Sequence, residues 1–276
     1  MTAARPGIAV LMYHAIAADG GAPGADARYT IGRDAFTAHL RALRAQVGPA
    51  RAARDVLADG EALCDGHAAA TCITFDDGHA THYTEAFPAL IDAGATADFF
   101  VNPARVGSAG HASWTQLREM ADAGMSIQSH GLDHTYFTAQ TQNGLELDLR
   151  RSKALIEDRI GHAVTLLAPP GGRMPPRLAN LACALGYERV LSSEPGRWRD
   201  PDAIVLPRLA ITDAVEVERV VRWALGEPAS MRGDVLRYAL LGAAKRGLGD
   251  SRYERLRARL MALRAGVAPA AQDRPA

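Results

Sequence analysis

Seven short apolar runs alternate with longer amphipathic stretches between residues 8 and 206, and a polar side chain able to do chemistry follows most of them. The runs are Ile8 to Tyr13, Thr71 to Phe75, Ala97 to Val101, Met125 to Gln128, Val164 to Leu167, Arg189 to Leu191 and Ala203 to Leu206. Short apolar runs separated by helix-length segments are the pattern of parallel β/α units. Helical register supports this. Asp34 to Arg44 carries Phe36, Leu40 and Leu43 on one face, Thr115 to Ala123 opens after Ser113 and closes at Gly124 as capping chemistry requires, and a third helix spans about Gly144 to Arg159. The expected fold class is α/β, a distorted (β/α) barrel of about seven parallel strands with a C-terminal helical appendage.

In such folds the carboxyl ends of the strands share one rim, where the loops build a site. His14 follows the first run, Asp76 and Asp77 the second, Asn102 the third, His130 the fourth and Pro169 to Gly172 the fifth. Residues distant in the chain are thereby expected in one pocket, which suits an enzyme better than a scaffold.

Composition removes several classes. The 276 residues carry 31 Lys plus Arg against 31 Asp plus Glu, so no broad electrostatic pull toward nucleic acid exists. Cys64, Cys72 and Cys183 cannot all pair and show no CxxC spacing. The apolar run Ile8 to Met12 is too short for a signal-peptide core, and no stretch approaches the roughly 18 apolar residues of a membrane span. These features read as cytoplasmic. After Thr212 the alternation stops, giving a barrel over 1–212 and a helical extension over 213–276 with helices at Asp213 to Leu225, Val235 to Ala244 and Tyr253 to Leu263, then a tail from Ala265 that reads as disordered. Between Arg219 and Arg264 there are 11 Lys or Arg and 4 Asp or Glu. That basic surface suits a solvated helical layer, peripheral association with an anionic membrane, or a protein partner.

Two runs carry the metal chemistry. Thr74-Phe75-Asp76-Asp77-Gly78 ends a strand with adjacent carboxylates, which can share a pocket only where the strand breaks, and Gly78 offers the break. In His130-Gly131-Leu132-Asp133-His134 the two imidazoles, four apart, would lie on one face of a helical turn and hold one divalent ion. With Asp77 they make a set of two His and one carboxylate that leaves positions for water and substrate, while a second carboxylate takes the proton of the attacking water. In Ala168-Pro169-Pro170-Gly171-Gly172, only Gly171 and Gly172 among the last four residues have an N–H for an oxyanion. His14 is placed to give a proton to a leaving amine.

Thr74 to Gly78, His130 to His134 and Pro169 to Gly172, in that order, resemble the first three motifs of the polysaccharide deacetylases of carbohydrate esterase family four, the NodB-homology domain. The resemblance covers about residues 7 to 212 and includes the Met12-Tyr13-His14 opening of some members. It implies metal-dependent removal of an acyl group, usually acetyl from an N-acetylated sugar in a glycan, lipid-linked or small glycoconjugate. It also implies Asp76 as base, Asp77, His130 and His134 as ligands of Zn2+ (or Co2+ or Ni2+), and the Gly171 N–H as an oxyanion donor.

Three positions depart from that pattern. Gly131 stands where Ser or Thr is usual, and Ala168 stands where an Arg usually holds the catalytic Asp, with Arg173 as the candidate substitute. Leu206-Pro207-Arg208 stands where a Leu-x-His motif often supplies the general acid. His14 resembles the N-terminal histidine that takes this role in the poly-N-acetylglucosamine deacetylase branch. Further candidates are Asn102 for a sugar hydroxyl, Trp198 and less so Trp114 as stacking platforms, and His79 and His82 near substrate. His39, His67, His111 and His162 are read as structural or surface residues. The alternatives are a catalytically silent sugar-binding barrel, suggested by the missing Arg and late His, and a non-haem iron oxygenase, which shares the metal triad but has no use for the second Asp or the Pro-Pro-Gly-Gly loop.

Overall fold

The computed structural model of the chain describes residues 7–17, 21–59 and 70–248, with side chains through residue 242. The helix expected over Tyr253 to Leu263, the tail from Ala265, Cys64 and His67 lie outside the described residues. The chain divides into two compact units, Met1–Met231 and Arg232–Ala276.

In chain order the first unit comprises β1 (Ala9–Tyr13), β2 (Ala15–Ala17), β3 (Thr30–Gly32), α1 (Arg33–Gln46), α2 (Ala53–Asp59), β4 (Thr71–Phe75), α3 (Phe87–Ala93), β5 (Asp98–Val101), α4 (Trp114–Asp122), β6 (Ser126–Ser129), α5 (Gln142–Ile160), β7 (Leu166–Leu167), α6 (Leu178–Ala184), β8 (Arg189–Leu191), β9 (Val205–Leu206), β10 (Leu209–Ala210) and α7 (Val217–Leu225). The second unit contributes α8 (Arg232–Leu248). Eight parallel strands form one curled sheet in the order β10, β1, β4, β5, β6, β7, β8, β9. This is the distorted (β/α) barrel, with eight strands where the sequence suggests about seven. The extra strand is β10, only two residues long and preceded by Pro207-Arg208, so no apolar run announces it. Those two residues join the two edge strands of the sheet, β9 and β10.

Strand parity decides what each residue does. Successive side chains on a strand point to opposite faces. Ala9, Leu11, Tyr13, Ile73, Phe75, Phe99 and Val101 fall in the cluster shared with α1, α4 and α5, between sheet and helices. Ile8, Val10, Cys72, Phe100, Leu166 and Leu206 form the second cluster, which fills the barrel interior. Continued past the strand ends, this interior row reaches His14 from β1, Asp76 from β4, Asn102 from β5, His130 from β6 and Ala168 from β7. The outer row supports them from beneath. Tyr13 pairs in register with Phe75, and Phe75 with Phe99, and the latter rings stack at 4.9 Å and 5°.

The helices follow their expected causes. α4 has a full capping box, in which Ser113 accepts from the Gln116 N–H and Gln116 accepts from the Ser113 N–H. α5 opens on Thr141 and stops at Gly161 in a left-handed conformation. α7 lies beyond Thr212 yet packs on α1 with Val220, Trp223 and Ala224 buried, so the compact barrel unit runs to Met231. No described helix is long and apolar enough to cross a membrane.

At the opposite end of the strands from the site, the buried Asp98 carboxylate accepts from the Ala53 N–H at 2.6 Å, at the start of α2. Burial pushes its pKa up to about 6, against hydrogen bonds from Ser126 and the helix start that pull it down. A carboxyl whose folded pKa is raised contributes stability that is complete below its unfolded value, near 4, and is lost as pH rises through about 6. Urea denaturation from pH 4 to pH 7 should therefore show Asp98→Asn gaining on the wild type by about 2–3 kcal/mol as pH rises, and a pH-independent difference would refute the assignment.

Candidate active site

Asp76 is the first residue past β4, and only 3% of it is exposed. Arg208, fully buried, grips it with both arms: Nη1 donates to Oδ1 at 2.7 Å and Nη2 to Oδ2 at 2.8 Å. The guanidinium is itself fixed, since Nε donates to the Ser192 carbonyl at 3.0 Å, Nη1 also donates to Thr74 Oγ1 at 3.2 Å, and the group lies 5.5 Å from the Phe100 ring centre. Burial alone would raise the Asp76 pKa. The charges of Arg208, and then His130, outweigh it and hold the carboxyl below its ordinary value. The arginine proposed from sequence for this role, Arg173, is elsewhere, with its guanidinium over the Tyr136 ring at 5.2 Å. The reading of Arg208 as only a lost histidine leaves out this contact, because the sequence does not show that the link between the edge strands β9 and β10 brings Arg208 to Asp76 at the end of β4.

Asp77 has the parity of the outer face, but its backbone turns with φ 78° and returns its carboxylate to the rim. Its Oδ1 lies 3.2 Å from His130 Nε2 and 3.1 Å from His134 Nε2. Burial pushes its pKa up, and hydrogen bonds from both imidazoles more than reverse this, holding it well below the usual carboxylate range. The donor atoms of Asp77, His130 and His134 all lie within 4.8 Å of one another. His130 Nδ1 faces the Ala168 carbonyl at 2.8 Å, and a carbonyl can only accept, so Nδ1 carries a proton, and a bound ion would displace the proton that Nε2 shares with Asp77 and take the Nε2 lone pair. Two imidazole nitrogens and one carboxylate fit a divalent ion with open positions.

The histidines do not meet through a helical turn, as their spacing suggests. Residues 130–134 form a bent loop with φ 75° at Gly131 and φ 71° at His134. A Cβ at Gly131 would sit 2.8 Å from Phe137 Cε1, which explains glycine where Ser or Thr is usual. The loop is held from outside instead. Asp148 of α5 accepts from the Leu132 N–H at 2.8 Å, Ser152 donates to the Gly131 carbonyl at 3.1 Å, and Asn102 Nδ2 donates to the His130 and Gly131 carbonyls at 2.5 and 3.2 Å. Asn102, 1% exposed, thus spends its amide N–H groups on bracing the loop of residues 130–134, while its buried Oδ1 has no partner among the described residues.

In the fifth loop Gly171 has φ 59°, and a Cβ there would meet Tyr136 Cε1 at 2.7 Å. The Gly172 N–H closes the turn onto the Pro169 carbonyl at 2.9 Å, which removes it as an oxyanion donor, and buried Pro170 shapes that turn. No backbone partner of the Gly171 N–H is found among the described residues. Trp198, the expected sugar platform, is 1% exposed in the barrel core, where its backbone bridges Ile8 and its indole N–H donates to the Asp200 carbonyl at 2.8 Å. Trp114 packs against the core at the start of α4. His14 lies at the rim between β1 and β2, and His79 and His82 pack behind it, with His79 Nε2 3.1 Å from the Pro23 carbonyl.

Residues 65–190 match the family model described as polysaccharide deacetylase. This segment is similar to the polysaccharide deacetylases. It spans Asp76, Asp77, His130, His134 and the Pro170-Gly171-Gly172 loop, whereas His14 and Arg208 lie outside it. YxkH of Bacillus subtilis (strain 168), described as a polysaccharide deacetylase, is 31% identical over 141 residues, covering 51% of this chain and 50% of that protein. The chain thus matches half the length of this relative. In fold, the deacetylase PplD of Streptococcus pyogenes, solved with acetate, superposes with a TM-score of 0.69 over 79% of this chain and 98% of that one, at 23% identity. IcaB from Ammonifex degensii gives 0.66 over 79% and 97%, at 26% identity. In fold, the matched segment and its flanks therefore form one barrel of the kind seen in these structures.

Removing Arg208 strands a buried carboxylate. Arg208→Met should cost about 3–5 kcal/mol in urea denaturation at pH 7, and adding Asp76→Asn should recover much of it. Additive losses would show that the two side chains are not coupled.

Proposed function

We propose that the chain is a metal-dependent carbohydrate N-deacetylase that hydrolyses the acetamide of an N-acetylated sugar to acetate and the free amine. The observation that carries this is the division of two adjacent carboxylates, one clamped ionised by Arg208 and the other shared by two histidines whose nitrogens converge on it. Asp77, His130 and His134 would hold the ion, Zn2+ or alternatively Co2+ or Ni2+. When bound, such an ion polarises the acetyl carbonyl and brings the pKa of its water toward about 7. Asp76 keeps a lone pair on each oxygen despite the Arg208 clamp and accepts the proton of the attacking water. The Gly171 N–H, which has no backbone partner among the described residues, would serve the oxyanion, and His14 would protonate the amine as the C–N bond breaks. Asp76 held by Arg208 meets the need that the absent third-motif arginine leaves open, which weighs against a silent sugar-binding barrel. An oxygenase has no use for this second, clamped carboxylate.

The helical segment belongs to the same proposal. On α8, Leu236 and Leu240 are more than 60% exposed, and the basic excess between Arg219 and Arg264 suits peripheral contact with anionic lipid. Flotation with phosphatidylserine vesicles should carry the full chain upward and leave a chain ending at Met231 behind, and equal behaviour would sink the membrane contact.

Acetate release from N-acetylglucosamine oligomers and short glycoconjugates tests the activity. Chelated protein should be inactive and recover with zinc, cobalt or nickel. Asp76→Asn should abolish turnover, and His14→Ala should lower kcat by about 10²–10⁴-fold. Failure to bind one equivalent of metal would remove Asp77, His130 and His134 from their roles, and metal binding without release from any acetylated sugar would favour the silent barrel.

A further inference from the structure

His14 is the single residue between β1, in the eight-stranded sheet, and β2, which among the described residues pairs only with β3. No strand ladder fixes the direction of its side chain, so other contacts must. Two do so. Its carbonyl accepts from His82 Nε2 at 2.6 Å, and its ring stacks on Tyr29 with centroids 4.7 Å apart and planes at 29°.

Both contacts are built into the fold. In the parallel pairing of β2 with β3, Ala15 lies opposite Thr30, which brings Tyr29, one residue earlier, to His14. Tyr29 ends a 3-10 turn, Ala27–Tyr29, capped where Asp26 accepts from the Arg28 N–H at 3.0 Å, and the Arg28 guanidinium lies 5.9 Å from the Tyr29 ring centre. His82 is buried against the stacked pair of Phe75 and Phe99, with ring centres at 5.1 and 5.6 Å. Since a carbonyl can only accept, His82 carries its proton on Nε2, and its buried Nδ1 has no partner among the described residues. Burial pushes the His82 pKa down to about 3, so it remains a neutral donor in the working range. The Ile16 N–H donates to Thr81 Oγ1 at 3.2 Å and ties β2 to the same turn. Within His14, Nδ1 is buried without a partner among the described residues, which leaves Nε2 for the cleft.

We propose that Tyr29 and His82 are positioning residues that hold the His14 ring with Nε2 toward the cleft and so direct its proton to the leaving amine. This rests on the hydrolase reading above. Neither residue touches substrate in this arrangement. Tyr29 sets the plane of the ring, and His82 sets the main chain from which it projects.

The departing group separates this role from simple structural support. A sugar amine must be protonated to leave, whereas the phenolate of an aryl acetate ester needs no proton. In the zinc-loaded enzyme, Tyr29→Ala and His82→Phe should lower kcat on an N-acetylated sugar at least about tenfold, with KM within about twofold, and leave hydrolysis of 4-nitrophenyl acetate near the wild-type rate. Tyr29→Phe, which keeps the stack, should restore turnover of the amide. Equal losses on both substrates, or wild-type turnover of the amide by Tyr29→Ala, would overturn the proposal. A second readout does not depend on activity. The nitrogen resonances of the His14 ring in 15N-histidine-labelled protein should move in Tyr29→Ala and stay in Tyr29→Phe, and unmoved resonances in Tyr29→Ala would overturn the clamp even if no acetylated sugar is hydrolysed and the hydrolase reading itself fails.

Discussion

The Asp76–Arg208 pair is the contact on which the rest of the site depends. An ionised carboxylate with no guanidinium would not persist at 3% exposure, because desolvation would protonate it or expel it. The same guanidinium reaches Thr74 on β4 and the Ser192 carbonyl past β8, so it ties together strands from distant parts of the sheet. It projects from the dipeptide that joins the edge strands β9 and β10. Barrel architecture and the ionised state of Asp76 therefore draw on one side chain.

Around this pair the pocket is an extension of the core. Val10, Cys72, Phe100 and Leu166 fill the barrel, and further along these rows and that of β6 stand the polar His14, Asp76, Asn102 and His130, while the β7 row ends on apolar Ala168. Two side chains depart from this rule at a cost in backbone conformation. Asp77 and His134 both adopt positive φ without being glycine, which costs of order 1–3 kcal/mol each. Asp148, Ser152 and Asn102 over-determine the second of these loops, and an ion bridging the three donor atoms would offset the strain further.

Much of this was legible in the sequence. Short apolar runs ending in His14, Asp76, Asn102 and His130 dictated parallel strands and a shared rim, and the Asp-Asp-Gly and His-x-x-x-His runs marked the donor set that the structure brings together. What escaped depends on tertiary placement. Trp198 has the size of a platform, and only the bridge to Ile8 reveals it as core. Asn102 looks like an exposed donor until burial shows its amide N–H groups turned to two carbonyls of the neighbouring loop. Gly172 loses its donor to the turn that Pro169 and Pro170 form. The spacing of His130 and His134 suits a helix as well as a bent loop, and the left-handed backbone that decides between them is announced only by Gly131.

The location of Arg208 also separates a chemical requirement from its address in the chain. Compared motif by motif with the family it resembles, the sequence shows Ala168 where a guanidinium should be and an arginine where an acid should be, and would be classed as doubly impaired. Compared by the charges that surround the carboxylate, it is complete at the first of these positions. Whether such a barrel keeps its chemistry is decided by what stands against its aspartate and not by which strand end supplies the cation.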